Sequence, residues 1–171
     1  MTTQNSDEAN PAYAVLYTCE PGGRWRAIVV DIPGCEAFGN ENGLFRDAQA
    51  YTVLYTPLPS GNWCAQVLDL PGCEATGDCV SSAKNAATNA AKLAFQRHRK
   101  HGEPIPASVT VGGYVRAEYE FGGLESEGAM AAATQAVRDY RERCGPLPFP
   151  TSVCGCVSPE RNDDETEKAD N

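Results

Sequence analysis

The chain contains no run of eighteen apolar residues, so no segment of it reads as a membrane-spanning helix. Positive charge is scarce: 14 Lys and Arg stand against 23 Asp and Glu, a formal net charge of −9. Non-specific affinity for nucleic acid depends on neutralising phosphates and is not expected of such a chain. A basic partner suits it better. Histidine is nearly absent. His98 and His101 stand three apart near a predicted helix end, with no sequence partners for a metal site or a general base, so they read as a solvated helical turn. The opening residues, MTTQNSDEAN, are polar and acidic and lack the features of a secretory signal. A cytoplasmic location is therefore expected.

Cysteine, by contrast, is plentiful, at eight residues. Without a secretion signal these read as reduced thiols rather than a disulfide framework. Cys154-x-Cys156 is too closely spaced for half of a zinc site, and no second Cys/His pair is placed to close a tetrahedron. No metal and no cofactor are expected. A length of 171 residues gives one domain or two small ones, long enough to bury a core without disulfides.

The most informative feature is a duplication. Tyr13–Gly39 repeats Tyr51–Gly77 at an offset of 38 without a gap, and 17 of the 27 aligned positions are identical. Within each copy the pattern is of two strands, a tight turn and a short third strand. Along the second strand Trp25/Trp63, Ala27/Ala65, Val29/Val67 and Asp31/Asp69 are the same in both copies, while Arg26/Cys64, Ile28/Gln66, Val30/Leu68 and Ile32/Leu70 differ. Alternate residues of a strand face opposite sides of a sheet. One face is thus held fixed, and it is expected to pack on a helix; the other is free to meet the second copy, solvent or a partner. The turns are Asp31-Ile32-Pro33-Gly34-Cys35 and Asp69-Leu70-Pro71-Gly72-Cys73. Proline presets φ at the second turn position and glycine accepts positive φ at the third, which fits a type II turn. Asp31 and Asp69 are read as carboxylates that accept amides from their own turns.

After Gly77 the chain predicts a helix. Asp78, Ser81 or Ser82 can cap it. Val80, Ala83, Ala87, Ala90 and Ala94 share a face, and Arg97–His101 gives a basic last turn before Gly102. Pro104 and Pro106 force an extended exit, with a strand over Ala107–Val111.

This ordered series resembles the HicB family of antitoxins. The carrying residues are Asp69-Leu70-Pro71-Gly72-Cys73, Gly77-Asp78, Ala83 in an alanine-rich helix, and the exit Ile105-Pro106-Ala107-Ser108. The resemblance covers some sixty residues of the chain. It implies an α+β fold that binds and silences a small basic RNase toxin of the HicA type, with no catalysis by the antitoxin itself. Many members carry a DNA-binding segment after this domain. No helix-turn-helix or ribbon-helix-helix pattern follows Val157, so direct DNA binding is not expected.

The first copy stops short, with room for only one or two helical turns around Leu44–Ala50. Its missing half is read at the other end. Ser126–Cys144 is a second alanine-rich helix, aligned with the first at an offset of 46 that maps Gly77 onto Gly123 and Ala83 onto Ala129. Pro148–Val153 then echoes Pro104–Val109. Val109–Phe121 alternates like a strand and is placed between the units, able to extend a sheet across both. The expected organisation is α+β, with two HicB-like βββαβ units, each an antiparallel sheet with one helix packed on it. Residues 51–122 form a complete unit and 11–50 with 123–157 a split unit around it; 1–10 and 158–171 are expected to be disordered tails. Two copies pairing within one chain make a monomer with an internal pseudo-dimer as natural as a homodimer.

Three functions remain open from the sequence. The first is a HicB-like antitoxin without catalytic, metal or cofactor residues, in which Asp31, Pro33, Gly34, Cys35, Asp69, Pro71, Gly72 and Cys73 are structural turn residues. The second is a solitary interaction or scaffold protein of the same fold without a toxin. The third is a small hydrolase or nuclease using Asp31, Asp69 or Cys79.

Overall fold

The computed structural model describes residues 11–44 and 49–159. The readings of a tail at 1–10, of the segment within Leu44–Ala50 and of most of the tail at 158–171 fall outside them in whole or in part. The class is α+β, with two four-stranded antiparallel sheets and, among the described residues, two α-helices. The chain divides into two compact units, one within Met1–Arg46 and Thr110–Cys154, the other within Asp47–Val109 and Gly155–Asn171.

The first unit contains β1 (Ala12–Cys19), β2 (Trp25–Val29) and β3 (Glu36–Gly39). Tyr13, Val15 and Tyr17 of β1 and Trp25, Ala27 and Val29 of β2 alternate into one buried face, the period of two that a half-covered sheet requires. These strands pair in the register Tyr17 with Ala27 and Ala27 with Ala37. The second unit repeats the arrangement with β4 (Tyr51–Pro57), β5 (Trp63–Val67) and β6 (Glu74–Gly77), in which Tyr55 stands opposite Ala65 and Ala65 opposite Ala75.

Each sheet is covered on its fixed face by one helix. The first helix, α1 (Val80–Lys100), packs on β5 and β6. The second, α2 (Ala129–Cys144), packs on β2 and β3. Ala83, Ala87 and Ala91 of α1 and Ala129, Ala133 and Val137 of α2 are fully buried. Steps of four on a 3.6-residue helix make one narrow stripe, and its small side chains let the helix axis approach the sheet. Bulk comes from the sheet side, where Tyr13, Tyr17, Trp25 and Ile32 join α2 in one core. In the second unit Tyr51 meets Phe95 of α1 edge to face, with ring centroids 5.7 Å apart.

The approach is closest at two glycines that match in the repeat. A Cβ on Gly39 would lie 2.5 Å from the amide nitrogen of Ala129, and one on Gly77 would fall on the backbone of Ala83. In the second unit the chain runs directly from Gly77 into its helix. In the first, the strand end and the helix start are joined through space: Ala129 N–H donates to the Asn40 carbonyl at 2.9 Å, and Asn40 N–H to that of Glu127 at 3.3 Å. The Asn40 carbonyl thus satisfies an otherwise orphaned first-turn amide. It serves where Gly128, the N-cap residue, offers no side chain. α1 is capped by Cys79, not by Asp78 or Ser81. Ser82 N–H meets the Cys79 sulfur at 3.4 Å, and Cys79 N–H donates to the Ser82 hydroxyl at 3.1 Å. Asp78 supports this cap by accepting the Ser82 hydroxyl at 2.7 Å.

The fourth strands correct the sequence reading. That reading kept the strand after each helix with the helix's own unit, closing the complete unit at 122 and the split one at 157. The sheets take them the other way. β7 (Thr110–Arg116), which follows α1, pairs with β1, placing Tyr17 opposite Val111. β8 (Val153–Val157), which follows α2, completes the sheet ordered β6-β5-β4-β8, while β7 completes β3-β2-β1-β7. β1 and β4 share the sequence Tyr-x-Val-Leu-Tyr-Thr, so their edges do not tell which exit strand each receives. Each exit strand lays glycine beside a buried tyrosine. A Cβ on Gly113 would sit 3.5 Å from the Tyr17 ring, and one on Gly155 3.1 Å from that of Tyr55. Nor does β7 run to Phe121. It ends at Arg116, where Tyr119 N–H closes a turn onto the Arg116 carbonyl at 3.1 Å. Arg138 of α2 then donates to the carbonyls of Ala117 and Tyr119.

Candidate functional site

The two proline-glycine turns connect β2 to β3 and β5 to β6. Gly34 has φ 72° and Gly72 φ 74°, the left-handed region glycine enters without a Cβ penalty. Each turn is closed by its cysteine: Cys35 N–H donates to the Ile32 carbonyl and Cys73 N–H to the Leu70 carbonyl, both at 3.1 Å. The cysteine carbonyls receive Val29 N–H at 3.0 Å and Val67 N–H at 2.9 Å, which starts the next ladder. Pro33 and Pro71 occupy exposed corners.

Asp31 departs from the sequence reading, and Asp69 also reaches beyond its own turn. Asp31 reaches the segment between α2 and β8 instead of its own turn. It accepts the backbone N–H of Thr151 at 2.9 Å and of Ser152 at 2.8 Å, and their hydroxyls at 3.1 and 2.8 Å. Burial raises its pKa, but the bonds from Ser152 and Thr151 outweigh burial and hold the carboxyl below the usual aspartate value. Asp69 accepts the N–H of Val109 at 2.9 Å, in the segment between α1 and β7 and one residue past the position that matches Ser152. Asp69 also has φ 70°, where an aspartate is better tolerated than most side chains. The physical reason is reach. Each carboxylate stands two residues past its strand, beside the extended, proline-bearing exit segment of its own unit's helix. Tyrosines hold the same segments: Tyr13 donates to the Pro148 carbonyl at 2.5 Å, and Tyr51 to that of Pro106. Each carboxylate thus latches the chain just before it leaves one sheet's helix for the other sheet.

Cys35, Cys73, Trp25 and Trp63 lie in or beside the cores, and Cys79, His98 and His101 near the ends of α1. Cys35 and Cys73 are buried. Burial raises both thiol pKa values against the lowering effect of Arg143 and Arg97 respectively, so neither is poised as a thiolate. Cys79 is exposed and engaged as a helix cap. Trp25 is buried in the first core, and Trp63 is half-buried. His98 lies 3.5 Å from Glu103, and His101 closes α1. Among the described residues no group of three His, Cys, Asp or Glu is placed to hold a metal ion, and no helix is long and apolar enough to cross a membrane.

Thr151, Ser152 and Val109 were not singled out from the sequence. Thr151 and Ser152 belong to the repeated proline-x-serine exit, and Val109 directly follows its other copy. In comparisons with models of protein families, with curated proteins and with solved structures, nothing matches the chain.

Two shallow cavities flank the second turn. One, of about 230 Å³, is lined by the turn itself, Gln66–Glu74. The other, of about 520 Å³, lies between Gly72-Cys73 and the outer face of α1, with Leu93, Arg97 and Lys100 in its wall.

Proposed function

We propose that the chain is a non-catalytic, HicB-like binding protein that covers a small basic RNase of the HicA type. The observation that carries this reading is the employment of its repeated carboxylates. Asp31 spends both oxygens on four donors of the exit segment, which leaves it poorly placed to act as a base. The doubled Asp-x-Pro-Gly-Cys series, with an alanine helix on each sheet, is the pattern that carries the resemblance. Charge favours the first unit as the surface for a basic partner: its described residues hold ten Asp and Glu against six Lys and Arg. The divergent side of its sheet also presents Ile28 and Phe38, 38% and 39% exposed.

The second unit supports an alternative, a solitary interaction protein of this fold without a toxin. Its described residues hold five Lys and Arg against four Asp and Glu, so it is no acidic cover. The experiment that separates the two is co-expression with a short basic protein encoded in the neighbouring reading frame, scoring growth and co-purification. Rescue of growth with a stable complex is expected. Growth arrest that the chain does not relieve, with nothing co-purifying, would end the antitoxin reading.

A further inference from the structure

The charge of this protein is unevenly placed. Helix α1 carries Lys84, Lys92, Arg97, Arg99 and Lys100 and no Asp or Glu along its 21 residues. A basic last turn complements the helix dipole, but Lys84 and Lys92 lie well before it and α1 has no acids to balance them. Ala90, Leu93, Arg97 and Lys100 recur at steps of three and four and so share one face. That face borders the cavity of about 520 Å³ beside Gly72 and Cys73. Leu93, in the middle of it, is 59% exposed.

The duplicated unit supplies an internal comparison. At the offset of 46 that aligns the helices, Leu93 corresponds to Asp139, Gln96 to Glu142 and Arg97 to Arg143. The matching place beside Cys35 therefore has an acid where α1 has Leu93, and a second acid where it has Gln96. Both Asp139 and Arg143 act electrostatically on the Cys35 thiol, as Arg97 does on Cys73, which places the two helix faces equivalently beside their turns. The same scaffold has been given opposite surfaces in its two copies.

We infer that the groove between the Leu70–Cys73 turn and α1 docks an acidic peptide segment of a partner protein, with an apolar side chain against Leu93 and carboxylates against Arg97 and Lys100. Charge complementarity selects the occupant. A nucleic acid would also be drawn to the cations, but it would press Leu93 against a phosphate backbone. It would also face the remaining net negative charge of the chain along a longer footprint. A short peptide engages only the local field, because other surface charges are screened beyond about 8 Å at physiological ionic strength. This docking is separate from the proposed binding of a basic partner, which uses the other unit and the opposite charge.

The test uses the full chain and a fluorescein-labelled acidic peptide with one central leucine, read by anisotropy. Saturable binding that weakens as salt rises is expected. Arg97→Glu with Lys100→Glu should weaken it by at least about tenfold. Leu93→Ser, at an exposed position, should weaken it without changing the thermal midpoint, and Asp139→Asn in the other unit should leave it unchanged. Equal binding by the charge-reversed and parent proteins overturns the proposal, as does tighter binding of single-stranded oligothymidylate than of the peptide. A tenfold gain on deleting residues 160–171, which carry six Asp and Glu, would assign the groove to the chain's own tail and overturn the partner assignment. None of these outcomes depends on whether a basic toxin binds the first unit.

Discussion

Asp31 is the side chain on which the most local structure converges. Its four donors all come from Thr151 and Ser152, some 120 residues away in sequence, so its loss frees the segment that delivers β8. Hydrogen bonds to a charged group contribute about 1.5–3 kcal/mol each at most, and bonds sharing one carboxylate are not additive. Asp31→Ala is expected to lower unfolding free energy by about 2–3 kcal/mol, measured by urea denaturation. Because the folded carboxyl titrates below its unfolded value of about 3.9, its contribution is complete above that pH and is lost as pH falls through the folded pKa. The parent should therefore lose stability on acidification below about pH 4 more steeply than the alanine variant. Parallel pH profiles would remove Asp31 from the account. The sequence marked this residue through its repetition at Asp69, but not its partner. A carboxylate's preference for nearby amides says nothing about which distant backbone the fold will bring within reach.

At the scale of elements, the helices are set by glycine on the sheet and alanine on the helix. Gly39 faces Ala129 and Gly77 faces the backbone of Ala83 with no space for a methyl group. At Gly39 the obstacle is backbone alone, and at Gly77 it is backbone together with the Ser82 hydroxyl, which the helix cap holds in place. Gly39→Ala and Gly77→Ala are each expected to destabilise by about 1–3 kcal/mol through overpacking, read as a lower thermal midpoint. Gly122→Ala, in open space and without positive φ, should change it little. The alternation along β2 and β5 and the four-residue stripes of alanine were legible from sequence alone, since they follow directly from strand and helix periods. The cap of α1 was less so. Cys79 is a weak acceptor compared with Asp78 or Ser81, and it takes the position because Ser82 returns the bond to its N–H. The joint between Asn40 and Ala129 is made by backbone groups, which leave no residue-specific trace.

At the scale of the molecule, duplication could be read from the chain, and the exchange of fourth strands could not. Both exits carry the same proline-x-serine/threonine pattern, and β1 and β4 offer nearly identical edges, so local sequence cannot state which sheet receives which strand. The consequence is that each sheet is completed by residues that follow the other unit's helix, with Asp31 and Asp69 holding the two departure points. Two copies with different surface charge stand in one chain, joined by this exchange of strands. Interstrand nuclear Overhauser effects test it most directly. Contacts of Gly113 Hα with the Tyr17 ring and of Gly155 Hα with the Tyr55 ring are expected, together with backbone contacts from Tyr17 to Val111. Contacts linking β1 to β8 and β4 to β7 in their place would mean that each unit keeps its own strand, and would contradict the account.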